Sequence, residues 1–126
     1  MSKCPCQSGK HYKLCCKRYH LGKIQAPTAE SLMRSRYSAY VLNLPQYVYR
    51  TWYSKTRPPL QELRKSTSQN FVMLQIIDTQ FGLETDETGT VTFIATFEEN
   101  DGQQKEHKEK SEFRRENKKW VYYSNT

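Results

Sequence analysis

Cys4, Cys6, Cys15 and Cys16 stand within thirteen residues of one another, and the 110 residues that follow contain no cysteine. Disulfides that stabilise a fold are spread so as to join distant segments, whereas thiols clustered in a short stretch are the pattern of a metal site. Cys-x-Cys, eight residues and then Cys-Cys can supply four thiolates. Four thiolates close a tetrahedron around zinc, with Zn–S near ~2.3 Å. Gln7-Ser8-Gly9-Lys10 reads as a turn between the pairs, with Gly9 free to take positive φ. Backbone N–H groups in such a turn can orient the sulfurs. The site would carry net negative charge, which Lys3, Lys10, Lys13 and Lys17 offset. Four protein ligands leave no open position for substrate, so the expectation is one structural Zn2+. The alternatives are free or oxidised thiols, or His11 or His20 in place of a cysteine.

A second set of polar residues is more scattered. Residues 104–115 alternate, with His107, Glu109, Ser111 and Phe113 on one face and Glu106, Lys108, Lys110, Glu112 and Arg114 on the other. The charged face must meet water, which turns a His, a Glu and a Ser toward the core. Such groups are costly unless hydrogen-bonded or wet. Arg34 or Arg36 could pair with Glu109, and Ser111 or Tyr40 could join them. The candidate pocket is therefore Arg34, Arg36, Tyr40, Trp52, Glu109 and Ser111, set against a plain structural network. A Ser-His-acid hydrolase is not expected, since three neighbours on one strand face do not form a triad and no nucleophile elbow is present.

The elements that must position these residues follow from periodicity. Thr28 caps a helix with Glu30 in its first turn, and Leu32, Met33, Tyr37, Tyr40, Val41 and Leu44 form its apolar face until Pro45. Residues 46–53 and 59–65 predict two short helices flanking the Arg57-Pro58-Pro59 linker. Residues 71–81 and 90–98 predict strands, Asp101-Gly102 a hairpin turn, Asn117-Lys118 another turn, and 120–123 a last strand. Helices followed by hairpin-linked strands predict an α+β fold, with helices packed on one face of a curved antiparallel sheet.

Charge is unevenly distributed along the chain, whose net charge is +7. Residues 1–60 hold eleven Lys and Arg against the single acid Glu30, while residues 61–126 hold nine against twelve. A basic amino-terminal half is an electrostatic footprint for an acidic partner. Lys3, Lys10, Lys13, Lys17 and Arg18 are its candidate contacts. Few aromatics interleave with these cations, which favours an acidic protein surface over nucleic acid. No apolar run nears the roughly 18 residues of a membrane span, and Met1 leads into Lys3 and Cys4 without an apolar leader. The expectation is a soluble cytoplasmic protein of unspecified oligomeric state.

Cys4-Pro5-Cys6-Gln7-Ser8-Gly9-Lys10-His11-Tyr12-Lys13-Leu14-Cys15-Cys16 resembles the SEC-C motif, a short zinc module known from the carboxyl terminus of the SecA translocation ATPase and from many other proteins. Its usual form is C-x-C-G-S-G-x-x-Y-x-x-C-[CH]. The chain matches the metal positions, the Ser-Gly turn and the Tyr, and departs at Gln7, where Gly is usual. A second resemblance covers nearly the whole chain. Residues 32–40, Tyr49-Arg50-Thr51-Trp52, Glu109-x-Ser111-x-Phe113 and Trp120-Val121-Tyr122-Tyr123 are similar to the YchJ family of uncharacterised bacterial proteins. That resemblance implies a nuclear-transport-factor-2-like cone, with helices against a strongly bent sheet enclosing a cavity. It also implies two parts, a zinc module at 1–25 and a cone at 26–126. Tyr53 stands where a His is common, which counts against pocket chemistry based on that His, and the second Cys cluster of some members is not seen, which counts against a bridging role that needs two modules.

Three functions follow. The first is a non-catalytic binding or adaptor protein that uses the module and the basic half. The second is a small-molecule binder or enzyme using the polar cavity of the cone, with Glu109 as a base. The third is a zinc module that merely caps the domain, testable by removing zinc and asking whether residues 27–126 stay folded.

Overall fold

The structure, a computed structural model, describes residues 2–66 and 70–125. Met1 and Thr126, the outer ends of the two expected parts, lie outside the described residues. After a 3-10 turn at Tyr12–Leu14 come helices α1 (Cys16–His20), α2 (Ala29–Val41), α3 (Pro45–Arg50) and α4 (Leu60–Ser66). Strands β1 (Asn70–Phe81), β2 (Thr88–Glu98), β3 (Gln104–Glu116) and β4 (Lys119–Asn125) complete the chain. The strands form one antiparallel meander in sequence order. The α+β expectation holds.

Helix α2 begins where its cap dictates. The Thr28 side chain accepts from the Ser31 backbone N–H, and the Ser31 hydroxyl accepts from the Thr28 N–H. This reciprocal box satisfies two of the N–H groups that every helix start leaves free. The helix ends at Val41, short of Leu44. Asn43 takes a left-handed φ of 58°, and Pro45, expected to break the first helix, opens the next one. Proline suits that first helical position because its missing N–H is not needed there.

Helix α3 also stops short of the predicted residue 53. Instead the Tyr122 N–H donates to the Thr51 carbonyl and the Tyr53 N–H donates to the Tyr122 carbonyl, both at 2.8 Å. Residues 51–53 thus bond to the outer edge of β4, and the Trp52 ring meets the Tyr122 ring edge-on at 4.9 Å.

Leu32, Met33 and Tyr37 of α2 and Tyr47 and Val48 of α3 share one buried cluster with Val91, Phe93, Ala95, Phe113 and Trp120 of the sheet. The Trp120 indole N–H donates to the Pro27 carbonyl at 3.1 Å, fixing β4 to the entry of α2. Register shifts in β1 at Phe71/Met73 and Ile76/Asp78, and between β3 and β4 at Glu112/Phe113, are irregularities of the kind that bend strands. The bent sheet and the helices leave a cavity between them. The Asp101-Gly102 and Asn117-Lys118 turns form as expected, with positive φ at Gly102, Asn117 and Lys118.

Candidate metal centre and cavity

The amino-terminal turn brings the cysteines together through its own backbone. The Cys4 N–H donates to the Lys10 carbonyl at 2.8 Å and the Cys15 N–H to the Tyr12 carbonyl at 3.0 Å. Gln7 and Gly9 adopt φ of 68° and 85°, and these two left-handed residues reverse the chain between the pairs. All four sulfurs lie within 4.8 Å of one another, with Cys6 and Cys15 at 3.6 Å and Cys15 and Cys16 at 4.0 Å. A tetrahedron with Zn–S near ~2.3 Å has sulfur edges of about 3.8 Å, so the cluster has the dimensions of a tetrathiolate site. Cys6 and Cys16 are almost wholly enclosed.

Electrostatics agrees with geometry. Hydrogen bonds from Cys16 and Cys6 pull the Cys4 thiol far below its ordinary range. Its contacts with Cys4 and Cys6, together with burial, push Cys16 far above it. The Cys6 contact with Cys16 acts downward, yet Cys4 and burial leave Cys6 raised overall. Thiols this close oppose one another's ionisation, and a central cation would relieve that opposition. Ser8 Oγ lies 3.3 Å from Cys15 Sγ and Ser38 Oγ 3.5 Å from Cys4 Sγ, both within reach to donate to a thiolate.

The histidine alternatives do not fit this arrangement. His11 is exposed. His20 has both ring nitrogens engaged, Nδ1 with Tyr12 Oη at 2.7 Å and Nε2 with the Ser35 carbonyl at 2.8 Å. Burial lowers its pKa, so it sits as a neutral link between the module and α2.

Arg34 is the main correction. With Arg36 it was one of two alternative partners for Glu109 and a wall of the candidate pocket, but it lies on the other side of α2. Its Nε pairs with Glu30 at 3.0 Å, and its Nη1 donates to the Cys6 carbonyl at 2.7 Å. Ser38, which sequence reasoning did not single out, lies one turn further along the same face. The spacing of Arg34 and Ser38 by four was the available signal. Among the expected partner contacts, Lys3, Lys10 and Lys13 are exposed and Lys17 is half-buried. Arg18 is tied down, donating through Nε to the Cys15 carbonyl and through Nη2 to Tyr19 Oη.

The other candidates do converge. Arg36, Tyr40, Trp52, Glu109 and Ser111 line a cavity of about 290 Å³ inside the cone. Glu109 is the centre of a small relay rather than the end of one. Ser111 donates to its Oε2, and His107 Nε2 lies 2.9 Å from its Oε1. The His107 side chain is 54% exposed, so it stands at the rim and not in the core. A carboxylate between Ser and His is not a hydrolase triad, in which the His must reach the Ser. Arg36 makes no ion pair with Glu109; its partners are the Val48 carbonyl and Thr51 Oγ1.

Residues 28–125 match the family model described as the middle NTF2-like domain of YchJ. The chain belongs to the YchJ-like family. The family's UPF0225 protein from Streptomyces coelicolor is 41% identical over 119 residues, covering 94% of this chain and 90% of that protein. The UPF0225 protein of Corynebacterium glutamicum is 43% identical over 121 residues, covering 95% and 93%. A SEC-C motif containing protein from Rhodopseudomonas palustris, solved in solution, superposes with a TM-score of 0.88 at 31% identity, covering 98% of this chain and 96% of that one. A crystal structure of another SEC-C motif containing protein, from Psychrobacter arcticus, gives 0.83 at 28% identity, covering 96% and 80%. Both resemblances read from the sequence are thereby supported. Among the described residues no helix is long and apolar enough to cross a membrane.

Proposed function

We propose that this YchJ-like protein holds one Zn2+ through Cys4, Cys6, Cys15 and Cys16 and acts as a non-catalytic binding protein whose module docks on an acidic protein surface. The observation that carries this reading is an enclosed sulfur cluster beside a groove lined by cations. Four sulfurs around one ion leave no site for substrate, which suits a scaffold. The groove, of about 460 Å³, lies between the module, the start of α2 and the far end of β1. Lys10, Arg18 and Arg34, the last paired with Glu30 in the same wall, line it together with Phe81 and Leu83, which are 76% and 64% exposed. Cations beside exposed apolar side chains suit an acidic segment with an apolar anchor. Lys3, Lys13 and Lys17 extend the basic surface beyond the groove. Four cysteines that bind metal as thiolates suit a reducing compartment, which supports a cytoplasmic location.

Elemental analysis of reduced, purified protein should return one zinc per chain, and close to none for Cys15→Ser/Cys16→Ser. Lys10→Glu/Lys13→Glu should keep the zinc and lose capture of the acidic partner. Undiminished capture by that variant would overturn the docking surface. Binding of a duplex oligonucleotide that weakens steeply with salt would instead make nucleic acid the partner.

A further inference from the structure

Arg36 is only 4% exposed, and among the described residues no carboxylate pairs with it. Burying a guanidinium without a counter-ion is expensive, so its remaining contacts matter. Nη1 donates to the Val48 carbonyl at 2.9 Å and to Thr51 Oγ1 at 2.8 Å. The rings of Trp52 and Tyr122 lie 5.2 and 4.8 Å from its Cζ. Its Nε and Nη2 have no hydrogen-bond partner among the described residues. No fully enclosed side-chain nitrogen or oxygen among those residues lacks a partner. The two nitrogens therefore border open space, and the space that Arg36 lines is the interior of the cone. The Nε–Nη2 edge of a guanidinium offers two parallel N–H donors, a fork that matches a carboxylate.

The remaining walls select among anions. At about 290 Å³ the cavity is at the small end for ligand sites, and Met33, Tyr37, Phe71 and Phe93 make much of its lining apolar and aromatic. Burial pushes the Tyr37 and Tyr122 phenols up to about 12, so both stay neutral. Glu109 shares the cavity with its oxygens engaged by Ser111 and His107. A carboxylate there and a single guanidinium disfavour a phosphate dianion. We propose that the cone interior binds a small monocarboxylate with a flat apolar body, its carboxylate on the Nε–Nη2 edge of Arg36 and its body against the aromatic walls. The site is separate from the metal centre, since its buried walls belong to the main core and the cysteines form a cluster of their own.

Benzoate and its neutral isostere benzamide test this on the metal-loaded full chain, by calorimetry and by NMR of the Arg36 Nε–H and Trp52 indole signals. Benzoate should bind at least about tenfold more tightly than benzamide and shift both signals. Arg36→Met should abolish that preference. Because this change also removes the guanidinium from the Val48 carbonyl and Thr51 Oγ1, Ala95→Leu is the second variant. It keeps the guanidinium, narrows the cavity and should weaken benzoate by about tenfold or more. Equal affinity for the two probes in the wild type, or no shift at Arg36 and Trp52, would overturn the proposal. So would unchanged benzoate binding in a folded Ala95→Leu protein, a preference surviving in Arg36→Met, or displacement of benzoate by equimolar inorganic phosphate.

Discussion

Gln7 occupies a backbone position with φ of 68°, where the usual SEC-C pattern has glycine. A left-handed conformation costs an L-residue with a Cβ roughly 1–2 kcal/mol, and glycine escapes that cost. The Gln7 side chain returns little. Its Nε2 donates to the Pro5 carbonyl at 3.3 Å in an exposed setting. Gln7→Gly should therefore relax the turn that sets Cys4 and Cys6 against Cys15 and Cys16. If about 1 kcal/mol reaches the metal site, affinity for zinc rises about fivefold, measurable by competition with a chromophoric chelator. Unchanged or weaker affinity would mean that the turn stores no strain. The same scale explains why Arg34 and Arg36 part company. Two positions along a helix turn a side chain by more than half a circle. Arg34 consequently reaches the Cys6 carbonyl while Arg36 enters the cone.

At the scale of elements, the join between β1 and β2 leaves least room for change. A Cβ on Gly89 would sit 2.4 Å from Gly82 Cα and 2.5 Å from Gly82 N, and both are backbone atoms that cannot step aside. The Gly82 carbonyl also accepts the Ala29 N–H at 2.8 Å, so this crossing holds the first turn of α2 against the sheet. Gly89→Ala should destabilise the fold by about 1–3 kcal/mol through that clash. Gly102→Ala meets no atom within 4 Å and should cost less, the strain of its φ of 85° alone. Paired chemical denaturation curves would rank the two, and a smaller loss for Gly89→Ala would contradict the packing. Elements governed by local chemistry are legible in the sequence. The Thr28 cap, the alternation in β2 and β3 and the cysteine spacing all act within a few residues. The end of α3 is not legible, because bonds to Tyr122, some seventy residues away, hold residues 51–53 in another conformation. Arg34 was assigned to the wrong side for the same reason, since α2 serves two neighbours and no local pattern says which covers which face. The spacing of Ser38 from Arg34 gives it no role at the sulfurs, because a buried serine is ordinary until its neighbour proves to be a cysteine.

Across the whole molecule, the question is how far the module and the cone depend on each other. The cysteines and the main core are separate buried clusters, but Tyr19 of α1 belongs to the main core. Polar ties add to it. Arg34 reaches the Cys6 carbonyl, His20 the Ser35 carbonyl, and Arg50 the carbonyls of Tyr19 and His20. None of these holds the sheet, whose aromatic and aliphatic core would remain buried without the metal. A cysteine turn this short, by contrast, has almost no apolar core of its own, and a bound metal would supply most of its folding free energy. Stripping the metal under reducing conditions should therefore abolish hydrogen-exchange protection around the cysteine turn and leave β2 and β3 protected. The cone should still unfold cooperatively, at a temperature lower by several degrees, since the contacts of α1 are weakened and about 1 kcal/mol shifts a domain of this size by roughly 4 °C. Re-addition of zinc should restore both the protection and the melting temperature. Collapse of the β2–β3 protection on chelation would show the opposite hierarchy, with the metal module acting as the cornerstone of the cone rather than as a surface mounted on it.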